Sequence, residues 1–283
     1  MMTNSLEAKD LTRQEYEAFR KLIYDKSGIN LGTEKMQLLS SRLAKLLRGQ
    51  NYASYGDFFK VVVADKSGVE LSRLLDAVST NTTHLFREIT HFNFLARLIE
   101  TWTSDKKWLA SNRELRIWSA GCSSGEEPHS IAMVVHDALK DHPGVKPRIL
   151  ATDISTQVLG QAMRGQFVTE RAKSVPPAFR TRYLQKIKSG NNEVLQATSD
   201  IRNLIKFSRF NLMTPTFPFR LGFHVIFCRN VMIYFDQPTQ EGLVNRYARS
   251  LVPGGHLMIG HSESLNGIDQ PLTYVEPTIY RRD

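Results

Sequence analysis

The spacing of apolar residues separates a helical first part of the chain from a second part in which strands and helices alternate. Up to about residue 76, apolar side chains recur every three or four positions, as Phe19, Leu22 and Ile23 do, and this spacing predicts amphipathic helices. From about residue 114, short apolar runs such as 115–120 and 224–228 alternate with helical segments. That alternation predicts a parallel β-sheet with helices on both faces.

One segment departs from this alternation. Strand-like runs at 182–188 and 193–197 flank a Ser-Gly-Asn-Asn turn signal at 189–192, and a third run follows at 204–207. Closely spaced runs around such a turn are typical of antiparallel strands. We therefore expect a small antiparallel β-subdomain at about 170–209, inserted into the α/β domain.

The length and composition are those of a globular chain with about two domains. Of its 283 residues, 41% are hydrophobic and 23% are charged, which supplies enough apolar material for a core. The change of pattern predicts an all-α domain at 1–76, a linker with a connecting helix at 77–113, and an α/β domain at 114–283.

Charge and cysteine content limit the kinds of binding partner and the cellular compartment that we expect for this chain. Lys and Arg exceed Asp and Glu by 37 to 28, so the net charge is +9, which suits nucleic acid, acidic lipid or a carboxylate-rich protein. Cys122 and Cys228 are too few for a disulfide framework. Residues 1–10 lack the apolar region of a signal peptide, and no apolar run approaches the ~20 residues of a membrane span. We therefore expect a cytoplasmic protein with no membrane insertion.

The run SAGCSSGEEP at 119–128 joins a predicted strand to a predicted helix. Its small residues could let a ligand approach the backbone at the edge of the sheet where ligands bind, or could form only a tight turn. Glu126 and Glu127 disfavour a dinucleotide, whose pyrophosphate would occupy this helix start. A cofactor with a cationic end and no phosphate, such as S-adenosylmethionine, fits better, although both acids could simply complement the helix dipole.

Polar residues also follow other predicted strands. Asp153 could accept hydrogen bonds from both hydroxyls of a ribose, or it could cap the next helix. Asn211-Leu212 and Arg229-Asn230 follow two further strands. Because parallel strands end at the same edge, we expect these residues to line one pocket.

Other kinds of site receive little support. The eight histidines show no zinc-ligand spacing, so we expect no metal site, and there is no Walker loop. The run from Gly260 to Ser264 resembles a nucleophile elbow, but Ser264 stands where the last glycine belongs.

These residues resemble those of the CheR-type chemotaxis receptor methyltransferases, and the likeness covers nearly the whole chain. The matching motifs are TNTT at 80–83 with FRE at 86–88, WSAGCSSGEEP at 118–128, ATDI at 151–154, FCRNVMIYF at 227–235 and GHSE at 260–263. The resemblance implies an α/β, Rossmann-like class I methyltransferase domain with a small antiparallel β-subdomain, preceded by a small all-α domain.

The resemblance also implies a site and a reaction. The cofactor would be S-adenosylmethionine and the product S-adenosylhomocysteine, with glutamates in the cytoplasmic domain of chemotaxis receptors as methyl acceptors. Arg87 and Tyr234 would lie nearest the transfer. The implied cofactor-binding residues are Asn81, Thr83, Arg87, Glu127, Asp153, Asn211, Leu212, Arg229 and Asn230.

Recognition of the receptor has two candidate surfaces. Lys35, Arg42, Lys45 and Arg48 recur at helical spacing, which fits either a solvated helix face or a face that guides an acidic receptor helix. In some family members the β-subdomain holds a peptide from the receptor's C-terminus, and the Ser-Gly-Asn-Asn turn here is poorer in Gly and Pro than theirs. We expect a monomer that binds no nucleic acid.

Two other functions stay open. A methyltransferase acting on RNA or a small molecule would use the same cofactor, with basic surface for phosphate and steep salt dependence. A non-catalytic adaptor would bind cofactor or receptor without turnover.

Overall fold

The computed structural model describes residues 10–50, 52–79, 81–190 and 192–283. Three parts of the sequence predictions lie outside these ranges: residues 1–9 of the segment 1–10 on which the signal-peptide prediction was made, Thr80 of the TNTT motif, and Asn191 of the predicted turn. The described residues form two compact units. One contains residues 10–79 with Tyr234–Asp236, and the other contains Asn81–Ile233 with Gln237–Asp283.

The first unit is helical, as the apolar spacing predicted. Its helices are α1 (Arg13–Ser27), α2 (Met36–Gln50), α3 (Tyr55–Ala64) and α4 (Val69–Val78). A capping box begins α1, because the Thr12 hydroxyl accepts the Glu15 N–H and the Glu15 carboxylate accepts the Thr12 N–H. The apolar stripes meet in a core that includes Phe19, Leu43 and Phe58, all fully buried.

The second unit alternates strands and helices. Its elements, in chain order, are α5 (Ile89–Ser104), α6 (Lys106–Ser111), β1 (Glu114–Ala120), α7 (Glu126–Ala138), β2 (Lys146–Asp153), α8 (Thr156–Arg164), β3 (Gln166–Phe167), α9 (Pro177–Tyr183), β4 (Leu184–Ser189), β5 (Asn192–Ala197), α10 (Ser199–Arg202), β6 (Ile205–Arg209), β7 (Phe223–Cys228), α11 (Gln237–Ser250), β8 (Leu251–Ile259), β9 (Leu272–Glu276) and β10 (Ile279–Arg282). The unit includes α5 and α6, which lie within the predicted connecting segment 77–113.

The main sheet has the strand order β6-β2-β1-β7-β8-β10-β9. The first five strands are parallel, and β10 is antiparallel to both of its neighbours. The chain leaves β1 toward β2 and β6, then returns to β7 and β8 on the other side. The carboxyl ends of β1 and β7 therefore meet where the strand order reverses, which is where ligands bind in such sheets.

A small antiparallel sheet of order β3-β5-β4 accompanies the main sheet. Together with the helical first unit and the α/β main sheet, it confirms the predicted fold class. One strand was misplaced, because the run at 204–207 is not the third strand of this small sheet. It belongs to β6, which pairs in parallel with β2 at the edge of the main sheet, and the two-residue β3 takes its place beside β5.

Helices pack on the main sheet through continuous apolar contact. Phe92 and Leu95 of α5, Ile131 and Val135 of α7, and Ile117 of β1 all belong to one buried cluster. Within the described ranges, no helix is long and apolar enough to cross a membrane.

Candidate cofactor-binding site

The turn after β1 is tight because glycines stand where side chains would collide. Gly121 and Gly125 have φ angles of 87° and 97°, in the left-handed region that favours glycine. A Cβ on Gly121 would lie 2.5 Å from Val231 Cγ2, and one on Gly125 would lie 2.8 Å from Ala162 Cα. Packing therefore requires both glycines, and the turn brings the start of α7 to the carboxyl edge of the sheet.

Asp153 ends β2 beside this turn. Its Oδ2 accepts the Ser123 N–H at 2.9 Å and its Oδ1 accepts the Ser155 N–H at 3.0 Å. The N-cap of α8 is Ser155, whose hydroxyl accepts the Val158 N–H at 3.2 Å. Asp153 is therefore not the helix cap. Its half-buried carboxylate is oriented by two backbone N–H groups from different loops.

Glu126 and Glu127 are neighbours in the sequence but occupy different surroundings. Glu126 is 1% exposed and accepts from the Ser124 hydroxyl at 2.7 Å and Arg171 Nη1 at 2.5 Å. Glu127 accepts from the Ser119 hydroxyl at 2.7 Å and from Arg229 Nη1 at 3.3 Å. Glu126 is thus held inside the protein, whereas Glu127 points along the end of β1, so the geometry favours Glu127 for a ligand.

Burial controls the ionisation of Glu127. Its removal from water raises the pKa of this carboxyl, and the nearby Arg229 guanidinium lowers the pKa by a smaller amount. A desolvated carboxylate with one long ion pair gains from a further cationic partner. An ammonium group is a ligand of that kind.

Arg229 is enclosed by protein groups at the end of β7. Its side chain is 2% exposed. Nη2 donates to Glu88 Oε2 at 3.0 Å and also to the Arg87 carbonyl, Nη1 reaches Glu127, and the guanidinium lies 5.4 Å from the centre of the Phe92 ring. Burial alone would raise the pKa of Glu88, but the charge and hydrogen bonds of Arg229, together with the backbone hydrogen bond and charge of His261, outweigh burial and lower that pKa. Arg229 therefore joins Glu88 to Glu127.

The loop after Arg229 is fixed by a residue whose role we did not predict. Glu263 accepts backbone N–H groups at both carboxylate oxygens, and the donors, at 2.5–3.3 Å, are Gly260, Asn230, Val231, Met232 and Ile233. This holds Asn230 at φ 58°, an uncommon conformation for a residue other than glycine. Glu263 lies in the GHSE motif, and its membership of that motif was the one feature of the sequence that pointed to a functional role for this residue.

Residues 81–88 lie against the turn after β1. Asn81 Oδ1 accepts the Ser123 hydroxyl at 3.2 Å, Thr83 is half-buried, and Arg87 Nη1 donates to the Thr82 carbonyl at 3.0 Å. Phe86 and Glu88 have φ of 54° and 57°, in the left-handed region as well. Strained backbone of this kind persists where the surroundings enforce it and is frequent at functional sites.

Asn211 and Leu212 follow β6 at the same edge of the sheet. Asn211 Oδ1 accepts the Met213 N–H at 2.9 Å, and the carbonyl of the buried Leu212 accepts from Arg246 at 3.0 Å. The parallel strands thus bring Glu127, Asp153 and Asn211 to one edge.

The remaining predicted residues belong to the first unit. Tyr234 is grouped there, and its carbonyl accepts the Asn30 N–H at 2.8 Å, so its part in methyl transfer stays a prediction. Of the four residues of the predicted basic face, Arg42 is half-buried, and its guanidinium donates to the Val78 carbonyl at the end of α4. Lys35, Lys45 and Arg48, in contrast, are exposed.

The donor set suits S-adenosylmethionine. The edge offers two carboxylates, Glu127 and Asp153, which match an ammonium group and a ribose diol, and the acid beside them, Glu126, is already paired with Arg171. A parallel sheet with one reversed strand, β10, and with carboxylates at the start of α7 and at the end of β2, defines an S-adenosylmethionine-dependent methyltransferase of the Rossmann-like class.

The chain belongs to the CheR methyltransferase family. The family model described as the SAM-binding domain of CheR methyltransferase matches residues 81–281, and the model of its all-alpha domain matches residues 14–79. This confirms the resemblance noted from the motifs.

Similar proteins extend over nearly the same length. The chain is 36% identical to "Chemotaxis protein methyltransferase" of Borreliella burgdorferi, covering 97% of this chain and 96% of that protein. It is 36% identical to "Chemotaxis protein methyltransferase 2" of Pseudomonas aeruginosa, with 95% and 93% covered. The corresponding protein of Escherichia coli is 33% identical, with 95% and 91% covered.

Proposed function

We propose that the chain is a protein-glutamate O-methyltransferase. It transfers a methyl group from S-adenosylmethionine to glutamate side chains in the cytoplasmic domain of methyl-accepting chemotaxis receptors, giving glutamate methyl esters and S-adenosylhomocysteine. The observation that carries this proposal is the composition of the sheet edge. Glu127 and Asp153 offer carboxylates to the cofactor, and Arg87, whose side chain is 35% exposed, offers a guanidinium to a carboxylate substrate.

The cofactor-binding residues divide by what their side chains do. Asp153 would accept from the ribose hydroxyls and Glu127 from the ammonium group, while Asn81, Thr83, Asn211, Leu212 and Asn230 line the same edge. Because the guanidinium of Arg229 is already engaged by Glu88 and Glu127, we assign Arg229 to positioning Glu127. When bound, S-adenosylmethionine supplies an electrophilic methyl group on a sulfonium centre.

The acceptor glutamate needs orientation rather than activation. A glutamate carboxyl has an ordinary pKa near 4.3, so it is already ionised at neutral pH and needs no general base. Arg87 can hold a carboxylate in a fixed plane through its planar set of N–H donors. Alignment of this kind can lower a barrier by several kcal/mol.

Receptor recognition is assigned to exposed basic residues of the first unit. Lys35, Lys45 and Arg48 present positive charge that would raise the encounter rate with an acidic receptor helix. Arg42 is left out of this set, because its guanidinium serves the Val78 carbonyl. Binding of a receptor C-terminal peptide by the β-subdomain is a further prediction. A monomeric state is another.

The proposal is tested by methyl transfer to receptor-containing membranes. We expect labelled methyl groups from the cofactor to appear in the receptor band and to be released as methanol by mild base, as an ester requires. Base-stable label, or label that nuclease removes, would contradict the proposal and support the RNA or small-molecule alternative. Cofactor binding without any transfer would support the adaptor alternative.

Two variants, each with a matched control, test the separate roles of Asp153 in cofactor binding and Arg87 in methyl transfer. Asp153→Asn should weaken S-adenosylhomocysteine about 10- to 100-fold in calorimetry, since hydrogen bonds to a charged group contribute roughly 1.5–3 kcal/mol, and the exposed Asp141→Asn should not. Arg87→Ala should lower turnover at saturating cofactor far more than cofactor affinity, and Arg97→Ala on the exposed side of α5 should leave both unchanged. Wild-type turnover in Arg87→Ala would remove Arg87 from the reaction.

A further inference from the structure

Three potential metal ligands converge in the second unit, beside the cofactor-binding edge. Glu88 and His91 lie one turn apart at the start of α5, and His261 follows β8. One ligand atom from each lies within 4.8 Å of the other two. The sequence spacing gave no sign of this group, because its members are separated by up to 173 residues.

The hydrogen bonds of Thr278 fix the proton on His91. The Thr278 hydroxyl donates to the Pro277 carbonyl at 2.5 Å, so its oxygen can only accept from His91 Nε2, 2.7 Å away. His91 Nε2 therefore carries the ring proton, and Nδ1 presents a lone pair. A histidine whose second nitrogen donates to a neighbouring oxygen is the usual arrangement of a metal ligand.

The lone pair of His91 Nδ1 faces another acceptor. His91 is 1% exposed, and its Nδ1 has no hydrogen-bond partner among the described residues. Glu88 Oε2 lies 3.6 Å from this nitrogen. Two acceptors aimed at each other in a buried site are costly unless a proton or cation lies between them. A cation bound between them would satisfy both acceptors.

His261 completes the group from the solvent side. It is exposed, its ring packs edge-on against His91 with centroids 5.1 Å apart, and its Nε2 lies 3.2 Å from the Thr90 hydroxyl. An exposed ligand beside a buried one gives a cation a way in.

We propose that Glu88, His91 and His261 bind a late first-row divalent cation of the Zn²⁺ type. Two imidazoles and one carboxylate suit Zn²⁺, whereas Mg²⁺ and Ca²⁺ prefer oxygen ligands throughout. Ligand atoms around a tetrahedral zinc ion at 2.0–2.1 Å lie about 3.3 Å apart. The three ligand atoms must therefore move closer together to bind zinc. We expect a side-chain rotation of the exposed His261 to bring them within that distance.

Occupation of this site would act on the cofactor site through Glu88. The same Oε2 that faces His91 accepts Arg229 Nη2 at 3.0 Å, and Arg229 also holds Glu127. A cation on Glu88 competes with Arg229 and repels it. We therefore expect Zn²⁺ to oppose cofactor binding, and by reciprocity cofactor to oppose Zn²⁺.

The first test measures metal binding itself, with untagged full-length protein. Zn²⁺ titrated by calorimetry should bind with a stoichiometry of about one, and His261→Ala should weaken it at least about tenfold. His142→Ala, a half-buried histidine outside the group, is the matched control. Equal affinity in wild type and His261→Ala, or no saturable binding to wild type, would overturn the site.

Two further measurements separate the parts of the proposal. Co²⁺ should give a visible spectrum without a thiolate charge-transfer band, and such a band would assign the metal to a cysteine instead. S-adenosylhomocysteine should bind at least about fivefold more weakly with Zn²⁺ present in wild type but not in His261→Ala. Unchanged affinity in wild type would overturn the coupling to the cofactor.

Discussion

Replacement of Glu263 by glutamine should disorganise the loop after β7, although the side chain keeps its size. In the native structure, Oε1 accepts the N–H groups of Val231, Met232 and Ile233, and Oε2 accepts those of Asn230 and Gly260. A glutamine retains one acceptor oxygen and turns an NH₂ group toward the other set of donors. If the oxygen stays with the larger set, two buried N–H groups lose their acceptor.

The magnitude follows from those two groups. A hydrogen bond to a charged acceptor contributes roughly 1.5–3 kcal/mol, and a buried donor left unpaired costs roughly 1–3 kcal/mol. The variant should therefore lose about 2–6 kcal/mol of unfolding free energy, a large part of the roughly 5–15 kcal/mol typical of a domain. Cofactor affinity should fall as well, because the loop carries Asn230 at a φ of 58°.

The assay is urea unfolding followed by tryptophan fluorescence. Trp102, Trp108 and Trp118 are the three tryptophans of the chain and all lie in the second unit, so fluorescence reports on the unit that contains the loop. Glu276→Gln is the matched control, since its carboxylate is about half exposed and pairs with Arg97, and such surface pairs contribute only about 0–1 kcal/mol. A loss below about 0.5 kcal/mol in Glu263→Gln, with unchanged calorimetric affinity for S-adenosylhomocysteine, would refute the reasoning.

Three further predictions use the same assays. Glu126→Gln should cost about 1–3 kcal/mol of stability, because Arg171 loses its charged acceptor, and should leave cofactor affinity within about twofold; lost binding in a stable protein would make this acid the cofactor contact. Burial lowers the pKa of His129 to about 4, so the folded state resists a proton that the unfolded state binds below about 6.5. Wild-type stability should fall between pH 6.5 and 4 by on the order of 3 kcal/mol from this residue, and His129→Gln should show a shallower fall; equal slopes would contradict this. Lys45→Glu with Arg48→Glu should slow receptor methylation at low salt and approach wild type as salt rises, at an unchanged melting temperature; a rate equal to wild type at every salt concentration would exclude steering.

Local patterns predicted the elements because they depend on neighbouring residues. The strand at Glu114–Ala120 and the cap at Ser155 follow from side chains a few positions apart. The partner of a strand does not. The run at 204–207 had the composition of a strand, but only the fold pairs it with β2, more than fifty residues earlier. The two residues of β3 are too few to give any pattern.

The same distinction separates the parts of the candidate site. Glu127 and Asp153 could be predicted because each follows a recognisable strand, and the ends of parallel strands meet. Glu88 and Glu263 could not, since their partners depend on contacts across the fold. The ion pair of Glu88 joins it to Arg229, 141 positions away, and Glu263 binds backbone N–H groups about thirty positions away.

The charge of the site is likewise a product of tertiary pairing rather than of composition. A chain of net charge +9 nevertheless presents carboxylates at the edge of its sheet, because Arg171 and Arg229 are each paired with acids there. Arg171 is paired with Glu126, and the single charge of Arg229 is shared between Glu88 and Glu127. Two carboxylates around one buried guanidinium leave one negative charge, and Asp153 adds a carboxylate that backbone N–H groups orient. The edge therefore favours a cationic cofactor within a positively charged protein, and the proposed role of the exposed cations of the first unit toward an acidic partner is a separate prediction.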